Sequence, residues 1–281
     1  MASDVEQVSA ELKRVRGIDL SGYRHAMLER RLRARMTRLD TTDFPAYLDR
    51  LRTDPHECDR LIDTIGINVS EFFRDPIVFE ILAQDVLPDI IERRRRAGTR
   101  EVRIWSAGCA AGEEAYSIAI LLHRALKDEV SAWTTRIFGT DIDLDALAAA
   151  NAGVYPTAQF ENTRLGVLND YFVPDGEGYK VRPFLRRMVR FSRDDLTSPN
   201  SFAPAESVFG TFDLALCRNV LIYFSREYQP RIVDKLCRSL AAGGCLVLGD
   251  TESLSGASEQ KLAVIDRRHR IYQKPGTAAV Q

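Results

Sequence analysis

The stretch Arg103-Ile-Trp-Ser-Ala-Gly-Cys-Ala-Ala-Gly-Glu-Glu-Ala-Tyr-Ser117 decides the fold, because an apolar run breaks into a glycine turn and then into a helix. Ile104 and Trp105 end the apolar run, and Gly108 and Gly112 allow the backbone to turn tightly beside a ligand. A strand, a glycine turn and a helix in this order are typical of a nucleotide site in a parallel α/β sheet.

Carboxylates open the predicted helix, since Glu113 and Glu114 follow the second glycine directly. The N-terminus of a helix usually attracts phosphate, which carboxylates there would repel. Asp141 closes the next apolar run and is placed to accept hydrogen bonds from ribose hydroxyls, and no G-x-G-x-x-G fingerprint is present. A ligand with an ammonium group and a ribose fits better than a dinucleotide, and S-adenosylmethionine is such a ligand.

Strands and helices alternate from residue 101 onward, which predicts an α/β sheet with mainly parallel strands. We expect these strands near residues 102–106, 136–140, 188–192, 212–216 and 244–248. The chain should end in an antiparallel hairpin of residues 262–266 and 270–273. A small inserted β-subdomain is expected at about 155–190, where short β-prone runs flank a Gly-rich turn.

The chain before this sheet predicts helices only, at residues 5–15, 22–39, 43–52 and 57–65. A parallel sheet that ends in an antiparallel hairpin is the usual plan of class I methyltransferases. We therefore expect three parts: an all-α N-terminal domain of residues 1–66, a linker of residues 67–100 that contributes to the cofactor site, and a methyltransferase domain of residues 101–281.

Composition limits the classes of function. The 281 residues are 45% hydrophobic and 28% charged, as in a globular protein, and the net charge of −1 argues against nucleic-acid binding. No apolar run approaches the roughly 20 residues that span a bilayer, so membrane insertion is not expected. The five cysteines form no C-x-x-C pair and no metal-binding cluster is evident, so we expect a metal-free protein in the cytoplasm.

A basic segment stands out between Glu11 and Arg38, where nine lysines and arginines face three acidic residues, a net charge of +6. Apolar residues form the core stripe of the second predicted helix, which leaves four arginines with no evident internal partner: Arg30, Arg31, Arg33 and Arg35. Solvated charge is the simplest interpretation. An acidic partner protein is the alternative.

Four blocks of sequence resemble the CheR family of chemotaxis receptor methyltransferases. They are Asn68-Val-Ser-Glu-Phe-Phe-Arg74, Trp105 to Ala119, Thr140-Asp-Ile-Asp143 and Cys217-Arg-Asn-Val-Leu-Ile-Tyr-Phe224. The resemblance covers almost the whole chain and implies a class I methyltransferase (Rossmann-like) sheet. It also implies methyl transfer from S-adenosylmethionine to receptor glutamates, which leaves S-adenosylhomocysteine.

The resemblance assigns roles to individual residues. Cofactor-binding residues are expected to be Asn68, Ser70, Arg74, Glu113, Asp141, Asp195, Leu196, Asn219 and Val220. Arg74 and Tyr223 are expected to hold the substrate carboxylate, and the four arginines of the second helix are expected to contact the receptor's glutamate-rich helical bundle. The chain departs from commoner family residues at Ala111 and Asp250, which bears on cofactor affinity.

Methyl transfer to a carboxylate needs no catalytic base, because a glutamate with a pKa of roughly 4.3 is already ionised at neutral pH. The site must instead align the reacting groups and exclude water. Two other functions stay open: a methyltransferase of this fold that acts on another carboxylate, and a non-catalytic adaptor that binds the cofactor or a receptor. We expect a monomer. We also expect docking without a receptor's C-terminal peptide, because the turn of the insert is shorter than in family members that bind such a peptide.

Overall fold

The computed structural model describes residues 3–65, 70–198, 203–204, 207, 210–254 and 258–276. The first range folds into the helices α1 (Asp4–Arg16), α2 (His25–Arg38), α3 (Phe44–Thr53) and α4 (Pro55–Ile65). Ser3 begins α1 with a capping box: its hydroxyl accepts from the Glu6 N–H, and the Glu6 carboxylate accepts from the Ser3 N–H. The helices bury a shared apolar core that includes Leu12, Tyr47 and Leu61, as the sequence predicts.

An ion pair inside this helical bundle corrects one expectation. The Arg35 guanidinium donates to both carboxylate oxygens of Glu57, at 2.7 and 2.6 Å, and the Tyr47 hydroxyl donates to the same carboxylate. The side chain of Glu57 is fully buried and that of Arg35 is 12% exposed. The expectation that Arg35 has no internal partner is therefore wrong, because packing of α2 on α4 brings this acid 22 residues further along the chain beneath it.

The linker forms a nearly continuous helical segment that ends at Arg96. It comprises α5 (Pro76–Ile81), one π-helical turn (Leu82–Val86) and α6 (Leu87–Arg96). Its apolar face joins the core beneath the sheet. None of the helices in the described part of the chain is long and apolar enough to cross a membrane.

The described residues form a seven-stranded sheet in the order β6-β2-β1-β7-β8-β10-β9. The strands are β1 (Glu101–Ala107), β2 (Thr134–Asp141), β6 (Val189–Arg193), β7 (Phe212–Cys217), β8 (Leu240–Leu248), β9 (Ala263–Asp266) and β10 (Ile271–Gln273). The first five pair in parallel, and β10 is antiparallel to both its neighbours. The helices of this region are α7 (Glu113–Leu126), α8 (Leu144–Ala152), α11 (Gln229–Ser239) and α12 (Ser258–Lys261). The predicted α/β sheet and its terminal hairpin are confirmed.

The insert contains a separate three-stranded antiparallel sheet in the order β3-β5-β4. Its elements are β3 (Val154–Pro156), α9 (Leu165–Tyr171), β4 (Phe172–Asp175), β5 (Gly178–Val181) and α10 (Pro183–Arg186). The strands on either side of the Gly-rich turn are confirmed, whereas the short β3 is not apparent in the sequence. Phe72 of the linker stacks on Phe160 of the insert with ring centroids 4.7 Å apart, so the insert supports the linker.

We expect Arg35→Ala to lower the free energy of unfolding by about 3–5 kcal/mol, because the buried Glu57 carboxylate loses its two hydrogen bonds from a guanidinium and keeps only a distant cation, Arg60 at 3.9 Å, among the described residues. The matched control is Arg33→Ala on the same helix, which removes an exposed pair with Glu29 and should cost less than about 1 kcal/mol. Urea unfolding followed by circular dichroism measures both. Equal losses in the two variants would contradict a special role for the buried pair.

Candidate functional site: a cofactor cavity at the carboxyl ends of the strands

A cavity of about 1160 Å³, counting its open mouth, lies where β1, β2 and β7 end. This edge of a parallel sheet is where α/β proteins bind ligands. The helical bundle supplies one wall: Tyr23 forms an isolated β-bridge with Phe224, and the Arg24 N–H donates to the Tyr223 carbonyl at 2.9 Å. The cavity is therefore closed by the N-terminal helices and the linker as well as by the sheet.

The glycine turn after β1 forms the floor of this cavity. Gly108 and Gly112 have positive φ angles of 75° and 92°, and a Cβ atom on Gly108 would lie 2.5 Å from Val220. Both positions therefore require glycine. Ala110 also has a positive φ, 47°, and its N–H donates to Asp141 at 2.8 Å, which holds this uncommon conformation in place.

Asp141 lies at the end of β2 and lines the cavity. One carboxylate oxygen accepts from the Ala110 N–H, and the other accepts from the Asp143 N–H at 3.1 Å. Burial raises the pKa of Asp141, and these backbone hydrogen bonds oppose the rise. A carboxylate can accept about four hydrogen bonds, so capacity remains for the hydroxyls of a ribose.

Glu113 is the first residue of α7, and its side chain is fully buried. Neither carboxylate oxygen accepts a hydrogen bond of ordinary geometry in the described residues. Burial raises the pKa of Glu113 to about 7, an effect that its own backbone N–H and the nearby Ser70 hydroxyl partly offset. A buried carboxylate without partners is costly. A cationic group of a ligand would relieve that cost.

Arg218 directly follows β7, and its side chain is only 2% exposed. It donates to the Asp75 carboxylate at 2.6 Å and to the Arg74 carbonyl at 3.0 Å, and it lies 3.3 Å from the Glu114 carboxylate. The guanidinium also lies over the ring of Phe79, 5.3 Å from its centre. Arg218 therefore ties the linker and α7 to the sheet. The sequence contains one signal for this role, a charged residue immediately after a fully buried strand.

Glu252 shapes the segment that carries Asn219 and Tyr223. Its buried carboxylate accepts from the N–H groups of Gly249 (2.7 Å), Asn219 (3.0 Å) and Ile222 (3.3 Å). Asn219 has a φ of 59°, and a Cβ atom on Gly249 would lie 2.7 Å from the Asn219 nitrogen. The side chain of Glu252 thus substitutes for backbone pairing in an irregular turn. Sequence reasoning did not assign this role to Glu252.

Tyr223 is half-buried in a short 3₁₀ turn (Leu221–Tyr223) and lines the cavity. Burial raises the pKa of its hydroxyl, while the positive charges of Arg74 and Arg31 oppose the rise. Two guanidinium groups, one from the linker and one from α2, therefore lie near this hydroxyl. The hydroxyl remains protonated at neutral pH and can donate a hydrogen bond.

Most residues that the resemblance assigns come together in this cavity. It is lined by Ser70, Arg74, Asp141, Leu196, Asn219, Val220 and Tyr223. Asn68 lies outside the described residues, and Glu113 is not among the lining residues, whereas its neighbour Glu114 is. Asp195 faces the neighbouring cleft, where its carboxylate accepts from the N–H and the hydroxyl of Thr197, whereas Asp194 lines the cavity. Cofactor binding by Asp195 stays a prediction.

Two family models match the chain. The all-alpha domain of CheR methyltransferases matches residues 3–65, and their SAM binding domain matches residues 68–271. The chain belongs to the CheR methyltransferase family. It is an S-adenosylmethionine-dependent methyltransferase, and S-adenosylmethionine is its cofactor.

Curated relatives cover most of the chain at similar identity. It is 32% identical to a chemotaxis protein methyltransferase of Listeria innocua over 91% of this chain and 92% of that protein. It is 34% identical to the chemotaxis protein methyltransferase of Escherichia coli over 85% of this chain and 80% of that protein. An uncharacterised 104.1 kDa protein of Rhodobacter capsulatus is 33% identical over 93% of this chain, which spans 27% of its length.

The residues of the cavity suit the cofactor of this family. Asp141 lines the cavity and retains acceptor capacity for its ribose. Glu113 is not among the lining residues, but it is buried next to the lining residue Glu114, and its carboxylate has no hydrogen-bond partner of ordinary geometry among the described residues. Apolar side chains, including Ile18, Leu20 and Leu196, line the cavity and suit an adenine ring. When bound, the cofactor supplies an electrophilic methyl group.

We expect cofactor affinity to depend on pH through Glu113. Its pKa of about 7 in the unliganded protein means that the carboxyl group is mostly neutral below neutrality, where it attracts an ammonium group weakly. The dissociation constant of S-adenosylhomocysteine should therefore fall as pH rises through 7, by up to about tenfold per unit below the pKa. Glu113→Gln should bind weakly with a flat profile, and calorimetry at several pH values measures both.

A second expectation concerns Asp141. Asp141→Ala should weaken binding of S-adenosylhomocysteine by roughly 1.5–3 kcal/mol. The substitution removes both the acceptors for the ribose hydroxyls and the hydrogen bond from the Ala110 N–H. Asp195→Ala is the comparison, since that carboxylate is held by Thr197 outside the cavity. Calorimetric titration decides between them. Parental affinity in Asp141→Ala, or a larger loss in Asp195→Ala, would contradict the assignment of the ribose to Asp141.

Proposed function

We propose that this protein transfers the methyl group of S-adenosylmethionine to glutamate side chains of chemoreceptors, giving glutamate methyl esters and S-adenosylhomocysteine. The observation that carries the proposal is the set of hydrogen-bond donors that line the cofactor cavity. Arg74 and Tyr223 line the cavity, and no histidine is among the lining residues that the structure describes. Such a site can bind an anionic nucleophile, and it does not need to remove a proton from it.

In this mechanism the protein's side chains bind the substrate carboxylate, orient it and exclude water. Arg74 holds the substrate carboxylate through charge-assisted hydrogen bonds, and the Tyr223 hydroxyl donates to the same carboxylate and fixes its direction. Arg31 adds positive charge from the helical bundle. Together they bring an ionised nucleophile into line with the methyl group, and the apolar walls exclude the water that would compete. Alignment and electrostatics therefore account for catalysis without a general base.

The nature of the relatives supports chemoreceptors as substrates, because several of them are named chemotaxis protein methyltransferases. Receptor contact would involve Arg30, which is exposed, and Arg31, which is half-buried. Among the described residues, Arg33 pairs with Glu29 of its own helix, so the expectation that it has no internal partner is also wrong. We propose a monomer that acts in the cytoplasm and docks without a receptor's C-terminal peptide.

Two other functions make different predictions in one assay. A methyltransferase for another carboxylate would release methyl esters from a different partner, and a non-catalytic adaptor would bind the cofactor without turnover. Incubation with labelled S-adenosylmethionine and receptor-containing membranes separates the three. Base-labile methyl label on the receptor supports the proposal. Label elsewhere, or cofactor binding without label, would replace it.

We expect Arg74→Ala to lower kcat for receptor methylation by about 100-fold or more, because the carboxylate would no longer be held and its charge would be uncompensated. Tyr223→Phe should lose about tenfold, since one donor is removed and the ring remains. Arg226→Ala, an exposed arginine just beyond this turn, is the matched control and should behave like the parent. Full activity of Arg74→Ala at saturating receptor would contradict the proposal that Arg74 holds the substrate carboxylate.

A further inference from the structure

Two arginine-rich segments of the chain differ in how their charge is balanced. The first is the end of α6, residues 93–96, where every guanidinium lies within 4.0 Å of a carboxylate. The pairs are Arg93 with Asp89, Arg94 with Asp213, Arg95 with Glu92 and Glu129, and Arg96 with Glu92. This segment is neutralised within the protein.

The second segment runs from Arg182 to Arg193 and contains five arginines and no acidic residue. None of these arginines forms an ion pair with another of the residues that the structure describes. Three of them donate to backbone carbonyls instead: Arg182 to Asn169 (3.1 Å), Arg186 to Asn151 (2.6 Å) and Arg193 to Arg16 (3.3 Å). A carbonyl satisfies a donor but does not neutralise a charge, so this segment keeps its positive charge.

Three of these arginines converge on one depression at the edge of the sheet, formed between α8, α10 and β6. It has a volume of about 860 Å³ counting its open mouth, and no acidic side chain lines it among the described residues. We name it the arginine cleft and define it by Arg186, Arg187, Arg190, Tyr116, Asn151 and Phe191. It shares no lining residue with the cofactor cavity.

We propose that the arginine cleft docks an acidic segment of the protein substrate, outside the glutamate that is methylated. The inference rests on the proposed function, because it takes the substrate to be a glutamate-rich protein. Arg187 and Arg190 are exposed, so their guanidinium groups can form paired hydrogen bonds with carboxylates. Arg186, held by the Asn151 carbonyl, gives the cleft a fixed cationic wall.

Charge complementarity selects this occupant. The protein as a whole has a net charge of −1, so the positive potential is local to the cleft and is not part of a general basic surface that would attract nucleic acid. An acidic segment held here would bring the substrate to the enzyme without occupying the cofactor cavity. The cleft would then act on encounter and affinity, and it would leave the methyl-transfer step unchanged.

The test compares two double charge reversals with the same change in net charge. Arg187→Glu with Arg190→Glu alters the cleft, and Arg267→Glu with Arg268→Glu alters exposed arginines in the terminal hairpin turn. A soluble cytoplasmic fragment of a receptor is the probe. For the variant with Arg187→Glu and Arg190→Glu, the dissociation constant and KM of the fragment should rise about tenfold at low ionic strength and by less at high ionic strength. For the variant with Arg267→Glu and Arg268→Glu, both should stay unchanged. The dissociation constant of S-adenosylhomocysteine and kcat at saturating fragment should stay within about twofold of the parent.

Direct binding of the fragment decides the inference separately from catalysis. If the parent methylates the fragment and the two reversals bind it equally, the cleft is not a docking surface and the proposed function stands. If the parent binds the fragment but does not methylate it, the proposed function fails, and the difference between the reversals still decides the cleft. Absence of binding by the parent overturns both. Arg187→Gln with Arg190→Gln should show the same change at smaller size, which excludes misfolding as the cause.

Discussion

The rest of the site depends on the ion pairs and hydrogen bonds of the buried Arg218 guanidinium. A charge removed from water is costly unless it is paired with opposite charge and hydrogen-bonded. Here Asp75, Glu114 and the Arg74 carbonyl supply partners from two other parts of the chain. Because all three must be in place, the linker cannot shift away from the sheet without exposing an unpaired charge. The position of Arg74 in the cavity follows from that constraint.

Buried carboxylates serve two different ends in this molecule, and their hydrogen bonds distinguish them. The Glu252 carboxylate accepts hydrogen bonds from three backbone N–H groups and holds the turn that carries Tyr223. The Asp141 carboxylate accepts two backbone hydrogen bonds and keeps capacity for a ligand. Glu113 accepts none of ordinary geometry, and its raised pKa records the cost of that isolation. A carboxylate saturated by the backbone is structural. One that is buried and left without partners is ready for a cation.

Arginine content alone does not indicate which positive charges remain unpaired after folding. On the basic helix α2, Arg35 is paired with the buried Glu57. At the end of α6, the charge of each arginine in residues 93–96 is neutralised by a nearby carboxylate. The arginine cleft, which no acidic side chain lines among the described residues, keeps its charge. What matters for recognition is the charge that remains after folding, because a guanidinium already paired with a buried carboxylate cannot pair with a partner protein as well.

The sequence by itself determined the helices, the parallel strands, the terminal hairpin and the glycine turn, because each is specified by periodicity and turn residues within about ten positions. It also predicted cofactor binding by Glu113 and Asp141, of which Asp141 lines the cavity. Only the tertiary structure decided that Arg218 meets Asp75 across 143 positions, that Glu57 lies beneath Arg35, and that Asp194 and not Asp195 lines the cavity. Such contacts depend on how distant elements pack, and no local pattern encodes them.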